Sequence, residues 1–123
     1  MTAVLVVEDE ADLLELVQDA LERRGLRVRA AASDVAAYEI LEAEAPDFRV
    51  LIADINLGVG TTGFDVARRA RSLNPDLKVV YITGHAAHLE RYGVADAVMF
   101  PKPFYADELA DQVVVLMGDG DPA

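Results

Sequence analysis

Short apolar runs and helical repeats take turns along the chain, and that alternation leaves few folds open. β-rich runs lie at Ala3–Val7, Arg27–Ala31, Arg49–Ala53, Lys78–Ile82 and Ala97–Phe100. The first, third and fourth are nearly unbroken apolar stretches, as expected of strands buried on both faces of a parallel sheet. Arg27-Val28-Arg29-Ala30 alternates polar with apolar, which suits an edge strand with one solvated face. Between the runs, Leu13, Leu14, Val17, Ala20 and Leu21 mark one helical face, and Gly25 follows as a stop. Asp34 is placed to cap a second helix carrying Val35, Tyr38 and Leu41, which must end before Pro46. Phe64, Ala67 and Ala70 mark a third helix, ended by Asn74-Pro75. A short fourth lies between Ala86 and Tyr92, and a fifth carries Leu109, Val113 and Leu116. This is a (βα)5 reading: a doubly wound parallel sheet with right-handed crossovers and helices on both faces.

Composition narrows the function classes. The 123 residues fit one domain, and 53% hydrophobic against 27% charged residues is enough for a packed core. The chain contains no cysteine, which removes thiol catalysis, cysteine zinc sites and disulfides together. A formal net charge of −11 repels nucleic-acid phosphates and anionic lipid. No apolar run approaches the ~20 residues of a membrane span, and the N-terminus lacks the basic region of a signal peptide. A cytoplasmic protein with no direct nucleic-acid or membrane partner is expected. The domain reads as residues 1–117, followed by a short flexible tail at 118–123.

In a sheet of this kind ligands bind at the carboxyl ends of the strands. The first strand ends in Glu8-Asp9-Glu10, the third in Asp54 with Asn56 two residues on, the fourth in Thr83-Gly84, and the fifth runs into Lys102-Pro103. Brought to one edge, the carboxylates repel by about 4 kcal/mol per pair at about 4 Å and an effective dielectric near 20. A cation or protonation must relieve this. Mg2+ suits all-oxygen ligands, with Mn2+ as a second candidate. Asp9 and Asp54 would be direct ligands, Glu8 would act through water, and the Asn56 main-chain carbonyl would supply another oxygen. Aspartate can also form an aspartyl phosphate, and Asp54 is the best nucleophile because it ends the strand placed at the centre of the sheet. Phosphoryl transfer needs positioning and charge stabilisation, which Lys102 and the Thr83 hydroxyl offer, while Gly84 leaves room for the incoming group.

The order Glu8-Asp9, Asp54, Thr83, Lys102-Pro103 closely resembles the receiver domain of bacterial two-component response regulators, from about Val4 to Leu116. The resemblance implies a flavodoxin-like sheet in strand order 2-1-3-4-5. It implies that Asp54 takes a phosphoryl group from a phosphohistidine on a sensor histidine kinase or a phosphotransfer protein. Glu8 and Asp9 become the acidic magnesium pair, Thr83 and Lys102 the switch hydroxyl and the phosphate-contacting lysine, and Lys102–Pro103 a cis peptide bond. A downstream protein target is implied too, and dimerisation on phosphorylation through the fourth and fifth helices is left open. Such a chain is a regulatory phosphoacceptor, not an enzyme.

Some positions depart from the family pattern. Met99 stands three residues before the lysine, where the family usually carries a switch aromatic, and alternation turns Phe100 to the opposite face. Tyr81 in Tyr81-Ile82-Thr83-Gly84-His85 is then a candidate modulator, and His85 could tune water access to the acyl phosphate. His85 and His88 lack an evident partner acid for a metal site. Gly58, Gly60 and Gly63 suggest a mobile loop after Asp54. Two other functions compete: a receiver-like binding module that works without phosphorylation, and a phosphate sink for a kinase. A flavin site would need a phosphate-cradling loop where Glu8-Asp9-Glu10 stands. A phosphatase of the Asp-x-Asp type would need a second acid where Asn56 stands.

Overall fold

The computed structural model describes residues 3–55, 62–83 and 94–120. The strands are β1 (Ala3–Val7), β2 (Arg27–Ala31), β3 (Phe48–Asp54), β4 (Lys78–Thr83) and β5 (Val98–Pro101). They form one sheet in the order β2-β1-β3-β4-β5, and every pairing is parallel. The described helices are α1 (Ala11–Glu22), α2 (Asp34–Glu44), α3 (Gly63–Leu73) and a C-terminal helix (Ala106–Gly120), with a 3-10 turn at Ala45–Asp47.

Strand alternation divides the core in two. Leu5, Val7, Leu51, Ala53, Val79 and Tyr81 point to one face and pack with Ala37 and Leu41 of α2 and Phe64, Ala67 and Ala70 of α3. Val4, Val6, Val50, Ile52, Val80 and Ile82 point to the other, against Val17, Ala20 and Leu21 of α1 and Leu109, Ala110 and Val113 of the C-terminal helix. Each such Val, Leu or Ile contributes about 1.5–3 kcal/mol by leaving water. That is why the central strands are apolar on both sides. β2 lies at the edge with Arg27 and Arg29 exposed, charges that discourage pairing with another sheet. Between helices, Arg24 reaches Asp111 at 2.8 Å and Arg69 pairs with Glu42.

Local chemistry sets the element ends. Gly25 takes φ +80 after α1, the left-handed position glycine fills without a Cβ clash. The cap of α2 is Ser33, not Asp34. Ser33 has the extended backbone a cap needs, and its Oγ accepts from the Ala36 N–H at 3.1 Å. Asp34 is the first helical residue. Val35, expected on the buried face, is exposed, and the small Ala37 takes its place against the sheet. Asn74 ends α3, and its amide donates to the carbonyls of Ala45 (3.0 Å) and Phe48 (2.8 Å), tying this corner to the start of β3. The C-terminal helix runs to Gly120, three residues into the stretch expected to be a tail. A glycine within a helix costs only about 1 kcal/mol, and the next proline in the sequence after Pro103 is Pro122. The fourth helix expected at 86–92, and the positions Asn56, Gly58, Gly60, Gly84, His85 and His88, lie outside the described residues.

Candidate functional site

Four strand ends meet at one edge of the sheet. The Glu8 N–H still belongs to the sheet, donating to the Ala31 carbonyl at 3.0 Å, which fixes the backbone from which its side chain leaves the end of β1. Asp54 is the last residue of β3 and stands in register with Ile82. Thr83 ends β4 and is buried. Its carbonyl accepts the Lys102 N–H at 2.8 Å, which brings the lysine beyond β5 back over the site. The Lys102–Pro103 peptide bond is cis.

The side chains converge as the strand ends do. Lys102 Nζ donates to Asp54 Oδ2 at 2.8 Å and stands 3.4 Å from Glu8 Oε1. Carboxylate oxygens of Glu8, Asp9 and Asp54 all lie within 4.8 Å of one another. Glu8 is fully buried and Asp54 nearly so, while Asp9 is exposed. Burial pushes the Glu8 carboxyl up from 4.5 to about 7. The Glu10 N–H, donating to Oε2 at 2.9 Å, and the Lys102 charge oppose that rise, and Asp54 adds to it. Burial pulls the Lys102 ammonium down, but its hydrogen bond to Asp54 and the charges of Asp54 and Glu8 outweigh this and raise it. The neighbouring carboxylates therefore keep the lysine charged, while burial favours the neutral form of Glu8.

A divalent cation fits this donor set. Three carboxylates facing one lysine leave a formal charge of −2 when all are ionised. Glu8 Oε1 is buried without a hydrogen-bond partner and has the Lys102 ammonium 3.4 Å away, so ionising it is costly and a further cation would offset that cost. All donors are hard oxygens, the preference of Mg2+ over softer metals.

Of the positions named from sequence, Glu8, Asp9, Asp54 and Lys102 come together, with Thr83 at the end of the adjoining strand. Tyr81 lies deeper. It is wholly buried, its ring stands edge-on to Phe64 with centroids 5.1 Å apart, and its hydroxyl accepts the Val94 N–H at 3.0 Å. Met99 is its register partner on β5, half-buried. Phe100 faces the other layer and stacks edge-on with Phe104. Gly63, expected in a mobile loop, is instead the first residue of α3 and is packed on the backbone of Asp54. The signal for it was Thr62-x-x-Asp65. The Thr62 Oγ1 accepts from the Asp65 N–H while the Asp65 carboxylate accepts the Thr62 N–H at 3.0 Å, a reciprocal cap that starts the helix at this glycine.

Known proteins show the same organisation. The family model described as the response regulator receiver domain matches residues 4–114. The response regulator receiver protein CpdR of Brucella abortus is 34% identical over 116 residues, covering 92% of this chain and 94% of that protein. Sensor kinase CckA of the same organism is 33% identical over 121 residues, but the match covers 96% of this chain and only 13% of the kinase. Among solved structures, a response regulator receiver protein from Sinorhizobium medicae superposes with a TM-score of 0.89 at 32% identity, covering 98% of this chain and 97% of that one. The response regulator TrrA from Thermotoga maritima, in complex with Mg(2+)-BeF, superposes with a TM-score of 0.79 at 26% identity, covering 94% and 99%.

Proposed function

The chain belongs to the response regulator receiver domain family, and on that premise we propose that Asp54 accepts a phosphoryl group from a phosphohistidine of a kinase or phosphotransfer protein, changing how the chain binds a second protein. The observation that carries this is the 2.8 Å contact of Lys102 Nζ with Asp54 Oδ2, at the edge where Glu8 and Asp9 converge on the same carboxylate.

Transfer forms a bond from a carboxylate oxygen of Asp54 to phosphorus and breaks the bond from phosphorus to the donor nitrogen. The electron pair of the broken bond stays on the nitrogen, and the donor leaves as neutral histidine when its other ring nitrogen carries a proton. Glu8, Asp9 and Asp54 would hold a Mg2+ ion, which when bound supplies positive charge for the oxygens of the transferred group. Use of Mg2+ is supported by the donor set and by the Mg(2+)-BeF complex of TrrA. Lys102 orients Asp54 and meets the negative charge that reaches it, and its contact with Glu8 keeps the ammonium at the site. In this reading Thr83, on the neighbouring strand end, supplies the hydroxyl that senses the new phosphoryl group. Its carbonyl is already bonded to the Lys102 N–H, so a shift at either residue reaches the other.

The chain in this reading modifies only itself and turns over no diffusible product, so it is a regulatory protein. Among the described residues no helix is long and apolar enough to cross a membrane. The test is intact mass after incubation with acetyl phosphate and Mg2+. Wild type is expected to gain one phosphoryl group and Asp54→Asn none. Equal labelling of both would place the acceptor elsewhere.

A further inference from the structure

We propose that Gly63 is a positioning residue for phosphoryl transfer: the hydrogen in place of its side chain lets helix α3 seat directly on the backbone of Asp54 and so fixes where the acceptor carboxylate stands. This rests on Asp54 being the acceptor.

The contact is made of main chain on both sides. The Gly63 N–H donates to the Ile55 carbonyl at 2.9 Å, and the Ile55 N–H donates to the Ile82 carbonyl at 3.1 Å, so the start of α3, the end of β3 and β4 form one hydrogen-bonded junction. A Cβ on Gly63 would lie 2.1 Å from the Asp54 carbonyl oxygen, 2.8 Å from its carbon and 2.9 Å from Ile55 Cα. Carbon atoms do not approach oxygen that closely, and no rotamer change moves a backbone atom, so either the helix or the strand end must retreat by about 1 Å.

The helix is the better anchored of the two. Phe64, Val66, Ala67 and Ala70 of α3 are all buried in the core, and the Phe64 ring is held edge-on by Tyr81, itself wholly buried and bonded to Val94. The reciprocal Thr62–Asp65 cap closes its first turn. Asp54, by contrast, is the last residue of its strand. The retreat therefore falls on Asp54, whose Oδ2 must stay 2.8 Å from Lys102 and whose carboxylate must stay beside Glu8 and Asp9. A displacement of this size at reacting atoms can slow chemistry by about a hundredfold.

The test compares Gly63→Ala with Thr62→Ala. The second substitution removes the cap of the same helix but adds nothing beside Asp54. Folding is followed by circular dichroism and phosphorylation by intact mass, at saturating Mg2+ and acetyl phosphate. Gly63→Ala is expected to slow acyl-phosphate formation by about tenfold or more, while Thr62→Ala stays within about twofold of wild type at equal fraction folded. If Gly63→Ala does not fold, the pair Gly63→Ala/Phe64→Leu, with a smaller anchor, is compared with Phe64→Leu alone, and the same loss is expected. Equal rates for Gly63→Ala and wild type, or for the double and single variants, overturn the inference. So do rates that simply follow stability across all variants. Failure of wild type itself to take the phosphoryl group would instead overturn the reading of Asp54.

Discussion

Replacing Glu8 by glutamine should make the metal-free protein more stable at pH 8, although it removes a fully buried side chain's contact with Lys102. Folding raises the Glu8 carboxyl from 4.5 to about 7, chiefly by burial. Below the lower value the group is neutral in folded and unfolded chains alike, and the shift carries no penalty. As pH rises the unfolded chain gives up its proton first, so the folded state loses about 1.4 kcal/mol of relative stability per unit until the folded group also ionises. The loss totals about 3 kcal/mol by pH 8 and about 1 kcal/mol at pH 5. Glutamine never ionises, and its oxygen can still accept the Glu10 N–H that Oε2 accepts now. Relative to wild type, Glu8→Gln should therefore gain about 2 kcal/mol between pH 5 and pH 8. The chain has no tryptophan, so urea unfolding followed by far-UV circular dichroism, in chelator, is the assay. Ionisations shared by both proteins cancel in the difference. Stability differences that stay constant from pH 5 to pH 8, or that turn against Glu8→Gln as pH rises, would refute the reasoning.

Three further outcomes follow from the same geometry. Lys102→Met removes the cation from between Asp54 and Glu8, so Mg2+ should bind more tightly by calorimetry while acetyl-phosphate labelling slows by about tenfold or more. Mn2+ affinity, read by paramagnetic resonance, should fall as pH drops from 8 to 6, because Glu8 takes up a proton near pH 7 that the ion must displace. Gly25→Ala should cost about 1 kcal/mol in unfolding free energy with no change in labelling, because φ +80 is strained for any residue with a Cβ and the site lies at the far end of α1 from Glu8.

Much of this was legible in the residues because burial writes itself into patterns. β1 and β4 read as nearly unbroken apolar runs because both of their faces are covered, and β2 alternates because one of its faces is not. The site was legible because acids, a threonine and a lysine fall at several strand ends together, each of them ordinary alone, and their convergence follows once the sheet is parallel. What escaped was local. Ser33 and Asp34 are both good capping residues, and only the backbone angles decide between them. Asn74 reads as a loop residue, yet its two bonds to Ala45 and Phe48 carbonyls depend on a corner formed from distant sequence. Gly63 looked like one of several loop glycines, because the close approach that requires it exists only after α3 has packed onto β3. Tyr81 stood out by its place before Thr83, while its burial and its bond to Val94 are tertiary facts.

The central claim is that the strand ends gather a metal site around one acceptor acid. It is met most directly by trapping the modified residue. The chain is incubated with acetyl phosphate, with Mg2+ or with chelator, and reduced with borohydride, which converts an aspartyl phosphate to homoserine, and then cleaved and mapped by mass. The expected result is homoserine at position 54 in Mg2+ and unchanged aspartate in chelator. Homoserine at another acid, or equal conversion of Asp54 without metal, would contradict the account.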